Sequence, residues 1–146
     1  MSRKSQRIAA MVGPSRAGGP DPHYAGYFEL FNAQKFYEAH DVLENLWLKD
    51  RSGPDGNFYK GLIQLAGAFV HLQKNRLRPA AALFKLARAH LENYPPWHRH
   101  LDLKAVGRLI HKWLAELEAG HFKKNPLTHA TAPRLAPHLP GNATVH

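Results

Sequence analysis

Residues 58–74 constrain the fold most, because this stretch is apolar over most of the circumference of a helix. Its apolar residues are Phe58, Leu62, Ile63, Leu65, Ala66, Ala68, Phe69, Val70 and Leu72. A helix of this kind has almost no face for solvent, so we expect it at the centre of a bundle. Gly61 and Gly67 each cost about 1 kcal/mol of helix propensity relative to alanine, which predicts close approach by neighbouring helices.

Four further helices are predicted around this central one. Asp21 and Pro22 supply an N-cap and a proline at the first helical position, and Asp102 can cap the last helix. The predicted helical ranges are residues 21–32, 35–49, 58–74, 79–93 and 102–120. No strand-like alternation stands out. The expected fold class is all-α, a compact bundle of about five helices packed around a central apolar helix.

The charge of the chain lies mainly outside the predicted helices. The formal net charge is +9, and residues 1–20 and 121–146 contain basic residues without a single acidic one. Neither end shows periodic burial, so both are predicted to be disordered basic tails flanking a helical domain at 21–120. The domain itself is nearly neutral. This distribution predicts weak, nonspecific polyanion binding through the tails rather than a dedicated nucleic-acid face.

Composition excludes several classes of protein. The chain has no cysteine, which rules out disulfides, thiolate zinc sites and a cysteine nucleophile. No apolar run approaches the roughly 20 residues of a membrane span, and the apolar run near the N-terminus is too short for a secretory signal. A cytoplasmic protein without a membrane partner is therefore expected.

A polar stripe on the second predicted helix is the candidate site. His40 and Glu44 lie one helical turn apart, and Trp47 lies about one turn further along the same face. On the central helix, Gln64 and His71 share a stripe of their own. If the two helices pack together, these two polar stripes could face each other.

Two interpretations of this stripe remain open. In one, His40, Glu44 and His71 hold a divalent metal, or a glutamate–histidine pair performs general acid–base chemistry. In the other, Glu44 fixes a histidine or a backbone group by hydrogen bonding while Trp47 covers it. The pattern favours the structural interpretation, because a histidine followed four residues later by a glutamate is common by chance.

The residues at 31–47 and 58–66 resemble the bacterial family named domain of unknown function 309. The resemblance rests on a signature of His, three residues, Glu, two residues and Trp, matched here by His40, Glu44 and Trp47. Gln34 stands where many relatives would have a glycine. The resemblance implies a compact bundle around one central helix, and it implies no established activity, catalytic residue or cofactor.

The sequence thus predicts a non-catalytic domain that binds a protein or small-molecule partner. In this hypothesis His40, Glu44 and Trp47 lock the bundle together, and no cofactor is required. The alternative is a metal-binding protein or a metal-assisted hydrolase that uses His40 and Glu44, with His71 as an additional candidate ligand.

Overall fold

The computed structural model describes residues 3–12 and 21–139 of the 146-residue chain. Within these residues the fold consists of helices and one very short hairpin. The elements are α1 (Arg3–Met11), α2 (Pro22–Asn32), α3 (Phe36–Asp50), α4 (Gly56–Gln73), α5 (Leu77–Leu91), β1 (Trp97–His98), β2 (Leu101–Asp102) and α6 (Leu103–Ala119). The predicted all-α bundle is confirmed.

Helix α4 lies at the centre of the bundle, as its sequence predicts. It packs most extensively against α5 and α3, while α2 covers α3 and α6 packs on α5. Phe69 of α4 shows this best, because its ring lies 5.0–5.6 Å from Phe31 of α2, Phe36 of α3, Phe84 of α5 and Trp113 of α6. One aromatic ring therefore contacts four helices at once.

Gly61 and Gly67 of α4 lie where a neighbouring helix comes close. A Cβ atom on Gly61 would stand 2.8 Å from Leu91 Cγ and 3.3 Å from the carbonyl oxygen of Ala87. A Cβ on Gly67 would stand 3.1 Å from Leu83 Cδ1. Both approaches come from α5, so the predicted reason for these glycines is confirmed.

The predicted helix caps are also present, although α4 and α5 each start two residues earlier than predicted. The carboxylate of Asp21 accepts from the backbone N–H of His23, and Asp102 accepts from two backbone N–H groups at the start of α6. Helix α5 begins at Leu77 rather than at Pro79. A proline fits in a first helical turn because its missing N–H would have no partner in the helix.

The N-terminal residues contain a helix where the sequence predicts a disordered tail. Ile8 of α1 is 2% exposed, and Arg7 Nη2 donates to Asp41 Oδ2 over 2.7 Å. The helical wheel puts Asp41 on the solvent side of α3, yet Asp41 is only 3% exposed because α1 packs against α3. The remaining parts of the two predicted tails, residues 1–2, 13–20 and 140–146, lie outside the described residues.

The segment at 121–139, also predicted to be disordered, packs against the helices. Every second residue is buried in its last part, namely Pro133, Leu135, Pro137 and Leu139. The Asn32 side chain accepts from the Leu135 N–H and donates to the Leu135 carbonyl, both over 2.7 Å. His138 N–H donates to the carbonyl of His100. The burial follows a period of two, so a search for helical periodicity does not detect it.

No helix within residues 3–12 and 21–139 has the length and hydropathy needed to cross a membrane.

Candidate functional site

The predicted stripe on α3 brings a histidine between two carboxylates. His40 Nδ1 lies 3.2 Å from Asp41 Oδ1, and His40 Nε2 lies 4.0 Å from Glu44 Oε2. The imidazole also lies nearly parallel to the Tyr37 ring, with 6.4 Å between the centroids. The His40 and Glu44 side chains are 30% and 28% exposed, so this site is partly open to solvent.

Contacts from this stripe tie α3 to α4. A Cβ on Gly67 of α4 would stand 4.0 Å from His40 Cδ2, which places the imidazole beside the glycine backbone. Lys60 of α4 holds its ammonium 4.4 Å from the centroid of the Trp47 ring. A cation over an indole face is attracted by the electrons of the ring, and burial of the indole adds a packing contribution. Trp47 therefore helps to fasten the two helices together.

Gln64 does not face the stripe on α3. Its Oε1 lies 2.7 Å from Nδ1 of His90, so its polar partner is on α5. Gln64 and His90 form a polar contact across the interface of α4 and α5. The sequence pattern places Gln64 on the correct helix but does not show which neighbouring helix it meets.

His71 lies near the end of α4. Its Nδ1 is buried and has no hydrogen-bond partner among the described residues. Burial lowers the pKa of His71, and the positive charges of Arg76 and Lys74 lower that pKa further. The neutral imidazole is therefore the favoured form in the folded protein.

A three-ligand metal site is not formed from these residues. In the part of the chain that the structure describes, no group of three or more histidine, aspartate or glutamate side chains is placed to hold a metal ion. His40 and Glu44 are close to one another, but His71 does not complete a ligand set with them. The geometry therefore gives no support to the metal site that the sequence leaves open.

A second polar cluster, which the sequence analysis does not single out, joins the start of α4 to the hairpin. Asp55 Oδ1 accepts from His98 Nε2 over 2.7 Å, and Asp55 Oδ2 accepts from Arg99 Nε over 2.9 Å. The Arg99 guanidinium carbon also lies over the Tyr59 ring, 5.7 Å from its centroid. Burial is the main cause that raises the pKa of Tyr59, so this phenol stays protonated.

The hairpin turn contains two residues with left-handed backbone. Arg99 has a φ of 48° and His100 a φ of 64°, in the region that glycine and asparagine usually occupy in a two-residue hairpin. Each such residue costs on the order of 1 kcal/mol or more. Tyr24 Oη donates to the Arg99 carbonyl over 2.7 Å and, with Asp55, holds the turn. The sequence signal for such a turn, Asn-Gly or Asp-Gly, is missing here, which explains why pattern analysis overlooks it.

A groove of about 360 Å³ lies between α5, α6 and the loop that joins them. Its lining residues are Arg88, Leu91, Glu92, Tyr94, Pro96, Leu103, Lys104, Gly107, Ile110 and His111. Leu91, Leu103 and Ile110 are buried, whereas Lys104 and His111 are exposed. The groove therefore combines an apolar base with polar, mainly basic, side chains near its opening.

The comparisons with known proteins identify a family but not an activity. Residues 24–83 match the family model named Domain of unknown function (DUF309). This part of the chain is therefore similar to the DUF309 family. No curated protein and no solved structure gives a significant match to the chain.

The DUF309 match covers the predicted stripe but none of the residues that line the groove. It runs from α2 into α5 and includes every candidate residue of the sequence analysis: His40, Glu44, Trp47, Gln64 and His71. The hairpin and α6 follow the DUF309 match. The groove is thus lined entirely by residues that follow the matched range.

Gly107, beyond the DUF309 match, differs from the glycines inside it. A Cβ on Gly107 would have no atom within 4 Å, whereas a Cβ on Gly61 would collide with Leu91. A glycine in the middle of a helix costs about 1 kcal/mol relative to alanine, and here no neighbouring atom requires it. The effect of Gly107 is to leave open space beside α6, along the groove.

Proposed function

We propose that this protein is a non-catalytic binding domain whose groove between α5 and α6 holds a small amphipathic anion. The observation that carries the proposal is Gly107, a mid-helix glycine that lines the groove and meets nothing. Gly107 lowers the stability of its helix and no packing contact requires it, so a role of this residue in binding is favoured. We place this function in the cytoplasm, because a chain without cysteine has no disulfide that needs an oxidising compartment.

The chemistry of the groove indicates the class of ligand. Arg88, Lys104 and His111 contribute basic groups, against one acidic residue, Glu92. An anionic head group would pair with these basic side chains while an apolar tail covers the buried leucine and isoleucine residues of the base. A volume near 360 Å³ is at the lower end of the range of about 300–1,000 Å³ for ligand pockets, which favours a small ligand.

In this proposal His40, Glu44 and Trp47 have a structural role. Their contacts with Asp41, Gly67 and Lys60 join α3 to α4, and they lie on a different helix from those that form the groove. The alternative of a metal-assisted hydrolase needs a third ligand beside His40 and Glu44, and none of the residues that the structure describes is placed to be one.

Binding of decanoate, a simple amphipathic carboxylate, tests the groove. Titration of the full chain, followed by backbone amide NMR shifts, should perturb residues of α5 and α6. Gly107→Leu should abolish these shifts by filling the groove. Ala105→Leu adds a similar bulk at an exposed position of the same helix and should leave binding unchanged. Absence of binding to the parent chain, or equal binding by both variants, would contradict the proposal.

Thermal denaturation tests the structural role of the stripe. His40→Ala and Glu44→Ala should each lower the melting temperature, because each removes contacts of the stripe that joins α3 to α4. Both variants should retain the decanoate-induced shifts at temperatures where they are folded. Lys49→Ala, at an exposed position of the same helix, is the matched control and should melt like the parent. Unchanged melting temperatures in both stripe variants would argue against a structural role of the stripe.

A further inference from the structure

Trp97, on β1 of the hairpin, is a large aromatic residue left open to solvent. Its relative exposure is 52%, whereas Trp113 in the core is 2% exposed. The indole is not isolated, because the His138 imidazole lies beside it with 5.6 Å between ring centroids and 38° between the ring planes. The backbone of His138 is itself fixed by its hydrogen bond to the His100 carbonyl. The two rings form an exposed aromatic platform built from two separate segments of the chain.

The opposite face of the hairpin holds this platform rigidly. Trp97 pairs with Asp102 across the strands, and the next residue, His98, turns towards the helices. The His98 ring packs 4.9 Å from that of Phe58, and His98 Nε2 donates to Asp55. The two left-handed residues of the turn, Arg99 and His100, are held by the bonds of Arg99 to Asp55 and Tyr24. A strained, well-anchored turn that presents an exposed aromatic is typical of a functional loop.

The charge around the platform is positive. Residues 97–104 and 133–139 contain Arg99, Lys104 and Arg134, and histidines in addition, against one acidic residue, Asp102. The Asp102 carboxylate accepts two backbone N–H groups at the start of α6, and the Arg99 guanidinium is paired with Asp55, so Lys104 and Arg134 supply the net positive charge. An anionic partner is therefore favoured on this surface.

We propose that this hairpin surface, formed by Trp97, Arg99, His100, Arg134 and His138, binds single-stranded nucleic acid. Unpaired bases stack on exposed aromatic rings in a way that tolerates any sequence, and flanking basic residues track the phosphates. A purely apolar protein partner would not match the basic surroundings of Trp97. The surface is distinct from the groove that the decanoate experiment tests, so either proposal can fail without the other.

Fluorescence anisotropy of labelled oligo(dT) at low ionic strength, with the full chain, tests this proposal. Trp97→Ala should raise the Kd about tenfold or more, because a stacked base contributes that much to affinity. Trp97→Phe, which keeps an aromatic face, should restore most of the affinity. Leu86→Ala, at another exposed apolar residue, on α5, should bind like the parent. Circular dichroism should show that all variants remain folded.

Two further arms separate stacking from general attraction to a basic protein. Arg134→Ala should reduce the slope of log K against log salt by about 0.7, as expected for the loss of one phosphate contact on a single strand. The duplex oligo(dA)·oligo(dT) should bind more weakly than the single strand, because its bases are already stacked. Equal affinity for duplex and single strand, undiminished binding by Trp97→Ala, or no binding to the parent would each overturn the proposal.

Discussion

Replacing Gly107 by alanine should stabilise the protein, whereas the same replacement at Gly61 should destabilise it. Both glycines lie in the interior of a helix, so both changes gain the same helix propensity, about 0.5–1 kcal/mol. The surroundings of the added methyl group differ. At Gly107 it would enter open space, and at Gly61 it would stand 2.8 Å from Leu91 Cγ.

The packing difference sets the expected magnitudes. Gly107→Ala should keep the full gain and raise the melting temperature by about 3–5 °C for a domain of this size. Overpacking a core typically costs about 1–3 kcal/mol. Subtracting the propensity gain leaves Gly61→Ala less stable than the parent by up to about 2.5 kcal/mol. The Ala87 carbonyl, 3.3 Å from the same position, belongs to the backbone of α5 and cannot move aside cheaply.

Urea and thermal denaturation followed by circular dichroism at one pH would measure both changes. Equal slopes of unfolding free energy against urea would show that the unfolded states are comparable. The reasoning is refuted if Gly61→Ala is as stable as Gly107→Ala, because α4 and α5 would then not be in the close contact described above. A loss of stability in Gly107→Ala would show that the space beside α6 is not open.

Three other substitutions give simple tests. His71 has a lowered pKa in the fold, so its contribution to stability is present above pH 6.5 and is lost as the pH falls through the lowered pKa. His71→Phe should therefore reduce the fall in melting temperature between neutral and mildly acidic pH. Tyr27→Phe removes the buried hydrogen bond to the Leu62 carbonyl and should cost about 1 kcal/mol in urea denaturation. Asn32→Ala removes both bonds to the backbone of Leu135 and should speed amide hydrogen exchange at 133–139, while exchange in α4 stays unchanged.

The helical framework could be predicted because its signals are local. The apolar circumference of α4 and the caps at Asp21 and Asp102 are properties of short stretches of sequence. The turn before α3 also forms without a glycine, since Gln34 adopts a φ of 63° there. Its carbonyl accepts from Gln73 and its side chain donates to His129, contacts that support this backbone.

The candidate sites were less predictable, because they depend on which elements meet. The sequence places Gln64 and His71 on one helix but cannot show that Gln64 faces His90 of α5. The hairpin cluster joins Asp55 to residues more than forty positions later, with no common motif. Such contacts follow from the packing of whole helices and leave no periodic trace in either segment.

The sequence by itself determined the class of fold, its central helix and the glycines at close helix contacts. Hydrophobic periodicity and capping act over a few residues, so each helix can be predicted from its own stretch of sequence. Only the tertiary structure decided that Asp41 is buried under α1, that Leu135 and Leu139 pack on the bundle, and that a groove opens beside Gly107. These features arise where segments distant in sequence pack together. The stabilising free energy of such a contact depends on both segments, so neither segment predicts it alone.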